Sequence, residues 1–356
     1  MGRGDNEEMK TLRLRVDPEQ MKTPAAVQAM ERAAGILRAG GLVALPTETV
    51  YGLGANALDA EAVGRIFQAK QRPAWDPVIV HIAEMAALGE VTEDVPETAR
   101  RLMKAFWPGP LTLLLPRSER VPGVVTAGRP LVGVRMPAHP VALEVIRRAG
   151  VPVAAPSANL FGHTSPTTAA HVLADLDGRI DAIVDAGATA HGVESTVLDP
   201  NANPMIIYRP GAVTEEQISA VGGAVEMFKA AGELSEEPRE ALPSPGVGLR
   251  HYAPRARLVL VEAAADGIET KLAEMARGAG GERVGVMLPE GMTAPEGTLA
   301  YAWGRWDAPK ELARRLYAGL RALDAERCTV ILCPLPGGEG IGAALRDRLG
   351  KAASGQ

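Results

Sequence analysis

Cysteine is nearly missing from this chain: 356 residues hold only Cys328 and Cys333. Residues five apart on a strand face opposite sides of the sheet, which suits neither a disulfide between them nor a shared metal. Both are expected as small buried hydrophobes in a protein from a reducing compartment. None of the six histidines pairs with another at a metal-ligand spacing, so no structural or catalytic zinc site is expected. Aromatic residues make up 4%, which leaves few platforms for stacking nucleobases. No apolar run approaches the roughly 20 residues of a membrane span. The stretch from Met1 to Glu8 lacks a hydrophobic signal core, and Asn6 breaks the myristoylation pattern. A cytoplasmic location is the expectation. The formal net charge of −5 argues against a surface coated in positive charge for nucleic acid, although a local basic groove stays open.

What is present is ordinary soluble-domain composition, 46% hydrophobic and 23% charged, in a chain long enough for two cores. The stretch that organises the rest is Gly41-Leu-Val-Ala-Leu-Pro-Thr-Glu-Thr-Val-Tyr-Gly-Leu-Gly54. Leu42 to Leu45 reads as a buried strand, and Pro46 should end its pairing because it lacks an N–H. Thr47 to Tyr51 then reads as a polar loop at the mouth of a sheet, closed by Gly52 and Gly54. Upstream lies a polar lead-in with a possible edge strand around Leu12 to Val16. A helix follows, with Thr23 as cap and Pro24 at its first position. Downstream, strands and helices alternate. From Ala256 a second α/β pattern begins, which reads as a small Rossmann-like unit.

Polar side chains recur where these strands end. Lys70 and Arg72 stand in a proline-stiffened loop with Asp76, where they suit phosphate oxygens or simply complement a helix C-terminus. His81 breaks an apolar strand, either as a satisfied core residue or as a ligand contact. Arg135 sits near the end of another strand and needs a partner, a structural carboxylate or an anionic substrate group. Ser157 and Asn159 follow a third strand. Ser165 precedes a proline that begins a helix, so it reads as an N-cap at a terminus that attracts phosphate. Ser195 and Arg209 lie near further strand ends. Five such strand ends point to a concave polyanion site. The stretch from Ala230 to Ser244 reads as an exposed linker, which runs on through Val247-Gly-Leu249 to Arg250-His251-Tyr252.

These pieces, taken together and in order over residues 27–212, resemble the threonylcarbamoyl-AMP synthase family in its long two-domain form. The matching motifs are Pro46-Thr-Glu-Thr-Val-Tyr-Gly-Leu-Gly54, Ala69-Lys-Gln-Arg-Pro73, Trp107-Pro-Gly-Pro-Leu-Thr112, Val132-Gly-Val-Arg-Met-Pro137, Pro156-Ser-Ala-Asn159, Ser165-Pro-Thr167, Glu194-Ser-Thr-Val197 and Tyr208-Arg-Pro-Gly211. The linker motif Arg250-His-Tyr-Ala-Pro254 and the closing Pro334 to Leu345 segment resemble that form's second domain. The resemblance implies a lead-in over 1–26, an α/β YrdC-like catalytic domain with a mixed sheet and a basic pocket over 27–212, a linker over 213–255 and a Rossmann-like α/β domain over 256–352. It implies a nucleotidyltransferase that converts ATP, L-threonine and bicarbonate into threonylcarbamoyl-AMP and diphosphate. The product would pass to a tRNA threonylcarbamoyl transferase complex, with no stable hold on tRNA. Thr49, His81, Arg135 and Ser195 would hold threonine. Lys70 and Arg72, the two residues assigned to catalysis, would hold ATP together with Asp76, Ser157, Asn159, Ser165, Arg209 and Tyr252. Mg²⁺ is expected with ATP. Two departures from the family pattern are Asp76, where relatives often carry Asn, and Val247-Gly-Leu249, in place of a bulkier pattern. Tyr252 is expected to close over the nucleotide, so its loss should leave thermal stability nearly unchanged. An RNA-binding module and an enzyme using carbamoyl phosphate are the competing readings.

Overall fold

The computed structural model describes residues 10–229, Ser244 and 251–354. The linker stretch Val247 to Leu249 and Arg250 lie outside the described residues. The first half contains strands β1 (Leu12–Arg15), β2 (Val43–Pro46), β3 (Tyr51–Asn56), β4 (Ile79–His81), β5 (Leu111–Pro116), β6 (Leu131–Arg135), β7 (Val153–Ala154), β8 (Ala182–Asp185), β9 (Thr196–Asp199), β10 (Met205–Arg209) and β11 (Val225–Met227). Its helices are α1 (Pro24–Arg38), α2 (Ala60–Lys70), α3 (Leu88–Val91), α4 (Glu97–Phe106), α5 (Gly123–Thr126), α6 (Pro140–Ala149), α7 (Ala169–Leu176) and α8 (Glu215–Gly222). The second half adds β12 (Arg257–Val261), α9 (Ile268–Gly278), β13 (Val284–Pro289), β14 (Leu299–Gly304), α10 (Pro309–Ala325), β15 (Val330–Pro334) and α11 (Ile341–Ser354).

The first eleven strands form one mixed sheet in the order β1-β8-β2-β3-β7-β4-β6-β5-β9-β10-β11. The apolar run Leu42 to Leu45 is buried on both faces, as a central strand requires. Val43 and Leu45 pack with α1 and α6, while Leu42 and Ala44 pack with α2 on the other side. Local signals act where the sequence places them. Thr23 and Asp59 cap α1 and α2 through their side-chain oxygens, and Thr214 closes a capping box with Gln217 at α8.

One segment departs from the sequence reading. Tyr51 to Asn56 is a strand, not the closing end of a loop, and pairs antiparallel with β2 from Val43↔Gly54 to Pro46↔Tyr51. The two glycines mark close packing here. A Cβ on Gly54 would lie 2.9 Å from Val153 Cγ1 and 3.1 Å from Val43 O. The loop between the strands thus shrinks to Thr47–Val50.

The second sheet is parallel throughout, in the order β12-β15-β13-β14. Its core of Trp303, Leu316, Tyr317 and Leu345 extends to Val50 and Val193 of the first domain and to Tyr252. Cys328 and Cys333 are free and buried, and burial raises both thiol pKa values. Among the described residues, no helix is long and apolar enough to cross a membrane.

Candidate functional site

The hairpin loop between β2 and β3 builds the centre of the site. Thr47 makes the turn: its hydroxyl donates to Val50 O at 2.6 Å and accepts from the Thr49 and Val50 amides at 3.2 Å. That turn sets Glu48 and Thr49 toward Arg135. The parallel register of β4 and β6 places His81 beside Arg135, so both side chains share one face. Arg135 is 3% exposed, and its guanidinium reaches Glu48 Oε1 at 2.6 Å, Thr49 Oγ1 at 3.0 Å and Gly109 O at 3.2 Å. Both sequence alternatives therefore hold in part: Arg135 has a structural carboxylate, and it also lines the cleft. Three of its N–H groups are used in these bonds, out of the five a guanidinium carries.

His81 also lines the cleft, and its Nδ1 is buried without a hydrogen-bond partner. Burial first, and the Arg135 charge second, push its pKa down to about 3, so the ring is neutral at ordinary pH. Ser195 stands just before β9 and faces the same space. Its hydroxyl meets Thr112 Oγ1 at 2.8 Å and accepts from Arg209 at 3.1 Å. Arg209 also donates to Ser195 O at 3.0 Å.

Arg72 forms a second cation group across the cleft. Gln71 ends α2 in the left-handed conformation, with φ 54°, and turns Arg72 back over the following loop. There the guanidinium meets the Asp76 carboxylate at 2.9 Å and donates to Pro77 O at 2.7 Å. Asp76 is fully buried, and burial raises its pKa against the pull of Arg72 and Lys70. The carboxylate at this position thus serves as the counter-ion of Arg72. His251 Nε2 lies 3.7 Å from the same carboxylate, and its ring packs edge-on against Phe161 at 5.3 Å.

The structure brings together Thr49, Arg72, His81, Arg135, Ser157, Ser195, Arg209 and Tyr252 around one cleft. Four expected residues stand behind its walls. Lys70 Nζ donates to the carbonyls of Ser157 and Asn159, and burial pushes its pKa well down. The Asn159 amide donates to Leu160 O and His163 O. Asp76 is the third, as the partner of Arg72. Ser165 is no N-cap, because α7 starts later and is capped by Thr168, whose hydroxyl accepts from His171 N. The Ser165 hydroxyl donates instead to Glu194.

Sequence reasoning assigned no role to Glu48, Glu194 or His251. The signal for the two acids lay in their neighbours. A carboxylate between hydroxyl residues in Thr47-Glu-Thr49, or before Ser195-Thr196, must be buried with a cation once those hydroxyls face a cleft.

Fold and site together define a two-domain α/β protein whose anion-suited cleft opens at the ends of its strands. Residues 35–211 match the Sua5/YciO/YrdC family, described as telomere recombination, and residues 213–354 match the threonylcarbamoyl-AMP synthase C-terminal domain. The chain is 46% identical to threonylcarbamoyl-AMP synthase of Pyrococcus abyssi over 90% of its length and 92% of that protein's. It is 44% identical to threonylcarbamoyl-AMP synthase of Bacillus subtilis over 98% and 99%. The solved structure of P. abyssi Sua5 complexed with L-threonine superposes with a TM-score of 0.88 at 42% identity, covering 97% of this chain and 98% of that one. The chain belongs to the threonylcarbamoyl-AMP synthase family.

Proposed function

We propose that this protein is an L-threonylcarbamoyladenylate synthase, a nucleotidyltransferase that makes threonylcarbamoyl-AMP and diphosphate from ATP, L-threonine and bicarbonate. The observation that carries the reading is the convergence of Arg72, Arg135 and Arg209 with Thr49, His81 and Ser195 in one cleft of a chain that matches synthases along nearly its whole length. The product supplies threonylcarbamoylation of tRNA adenosine by a separate transferase complex. The synthase has no need to hold tRNA and acts in the cytoplasm.

The chemistry follows from the groups present. Threonine and bicarbonate condense to a carbamate with loss of water. A carbamate oxygen then bonds to the α-phosphorus of ATP as the bond to the β-phosphate oxygen breaks, and diphosphate leaves. Such a displacement requires alignment and charge stabilisation more than a protein nucleophile. The hydroxyl of Ser195 is accordingly engaged by Thr112 and Arg209, not by an imidazole.

Arg135, already oriented by Glu48 and Thr49, receives the threonine carboxylate on its remaining N–H groups. The neutral His81 ring offers a hydrogen bond without adding charge. Arg72 and Arg209 meet the triphosphate, with Ser157 beside them. Lys70 acts from behind by bracing the Ser157–Asn159 turn. Mg²⁺ belongs to the substrate side, carried on the triphosphate. Diphosphate release measured with ATP, threonine and bicarbonate omitted in turn tests the reading. Release should require all three, and equal release without threonine would overturn it.

A further inference from the structure

Helix α11, in the second domain, carries an arginine with no exposed surface. Arg348 is 0% exposed, although it lies far along the chain from the cleft residues. Its Nε donates to Glu194 Oε2 at 2.7 Å, its NH2 group to Pro210 O at 3.0 Å and its NH1 group to the neighbouring Asp347 carboxylate, which Lys351 also meets at 2.8 Å. Its guanidinium carbon lies 5.1 Å from the centre of the Tyr252 ring. Apart from Asp347, which lies on the same helix, each of these partners belongs to the cleft wall or adjoins it. Glu194 and Tyr252 line the cleft, and Pro210 follows Arg209, which lines it too.

Glu194 is the group that makes this arrangement necessary. It places a buried carboxylate beside Ser195 and Arg209, in a space suited to anions. Its oxygens also accept from Tyr317 OH of α10, at 3.0 and 3.2 Å, and from Ser165 Oγ. Arg348 and Tyr317 belong to the second domain, so one of the two cations acting on Glu194 and one of its hydroxyl donors come from there. Burial alone would raise the Glu194 pKa, but the Arg348 and Arg209 charges hold it below the usual carboxylate range. An ionised Glu194 without Arg348 would repel a triphosphate and pull on Arg209.

We propose that Arg348 is a positioning residue for the nucleotide. By neutralising Glu194 and holding Pro210 and Tyr252, it makes the second domain a working wall of the ATP site. This rests on reading the cleft as the ATP site. The test compares Arg348→Met, Glu194→Gln and the double variant in the full chain, measuring KM for ATP, kcat and the ligand-free melting temperature. Arg348→Met should raise KM for ATP by at least about tenfold at a temperature well below its own melting point. Adding Glu194→Gln should recover most of that loss, because a neutral amide needs no counter-ion and Asp347 keeps Lys351 as its partner. Should Arg348→Met fail to fold, Arg348→Lys serves, since a point charge cannot span Glu194 and Pro210 together. It too should raise KM for ATP.

An unchanged KM in any folded Arg348 variant would overturn the inference. So would defects that simply multiply in the double variant, because they would leave Arg348 a structural role alone. Failure of the wild-type protein to release diphosphate would instead remove the functional reading. The ligand-free melting cycle then decides: a double variant that melts above Arg348→Met upholds the coupling, and additive losses refute it.

Discussion

Arg72 shows how one side chain can serve the fold and, in the proposed reaction, the chemistry. Its guanidinium is fixed by Asp76 and by the Pro77 carbonyl, so in the proposed reaction a phosphate would meet a cation already in place. Replacing Arg72 by Ala should remove a charge-assisted contact of roughly 1.5–3 kcal/mol, about tenfold to over a hundredfold in kcat/KM. It also strands the buried Asp76 carboxylate, so the melting temperature should fall. Adding Asp76→Asn should restore stability while leaving activity low. Wild-type kinetics in a folded Arg72→Ala variant would reduce Arg72 to a cation at a helix end. His81 gives a second residue-scale prediction. Its folded pKa of about 3 lies below the ordinary 6.5, so the unfolded chain binds the extra proton between those values. Its contribution is therefore complete above pH 6.5 and is lost as pH falls, at about 1.4 kcal/mol per pH unit. Melting curves from pH 7 to pH 5 should show the decline, and His81→Gln should lessen its slope by about 1.4 kcal/mol per pH unit, while His139, His171, His191 and His251, also lowered by burial, keep the rest. An equal slope in both proteins would contradict the assignment.

At the scale of elements, the sequence is most legible where local chemistry decides. Thr23, Asp59 and Thr214 cap the helices they precede, and the possible edge strand over Leu12 to Val16 stands at the end of the large sheet. It is least legible where distant packing decides. Gly52 and Gly54 read as loop punctuation because nothing local reveals that β3 runs close against Val43 and Val153. Ser165 reads as a cap because the pull of Glu194, 29 residues away, is invisible in a local window. The cleft residues were mostly nameable from hydroxyls and cations at strand ends, but their carboxylate partners were not, since pairing is a property of the folded chain. Tyr252 is the sharpest correction. It is 5% exposed, at φ 68°, with its ring stacked on Tyr317 at 5.9 Å. Tyr252→Ala should therefore cost about 3–5 kcal/mol of stability along with ATP affinity, where a simple lid would leave melting unchanged. Tyr252→Phe should keep both properties near wild type. A Tyr252→Ala variant that melts like wild type would return this residue to the role of a simple lid over the nucleotide.

At the scale of the whole molecule, the two sheets act as one unit because their contact runs through the site. Gly192, beside Val193 and Glu194, has φ 74°, and a Cβ there would lie 2.5 Å from Ala313 O and from Arg314 Cα on α10. Gly192→Ala should therefore separate the domains locally and cost at least about 2 kcal/mol. Calorimetry should show a lower melting point, and an unshifted transition would mean that the contact yields freely. The joined domains are proposed to make threonylcarbamoyl-AMP. The most direct test incubates the protein with ATP, ¹⁵N-threonine and ¹³C-bicarbonate and identifies the nucleotide product by mass spectrometry. One adenylate carrying both labels is expected, formed together with diphosphate. An adenylate with threonine bound but no carbon from bicarbonate, or AMP alone from the first turnover, would contradict it.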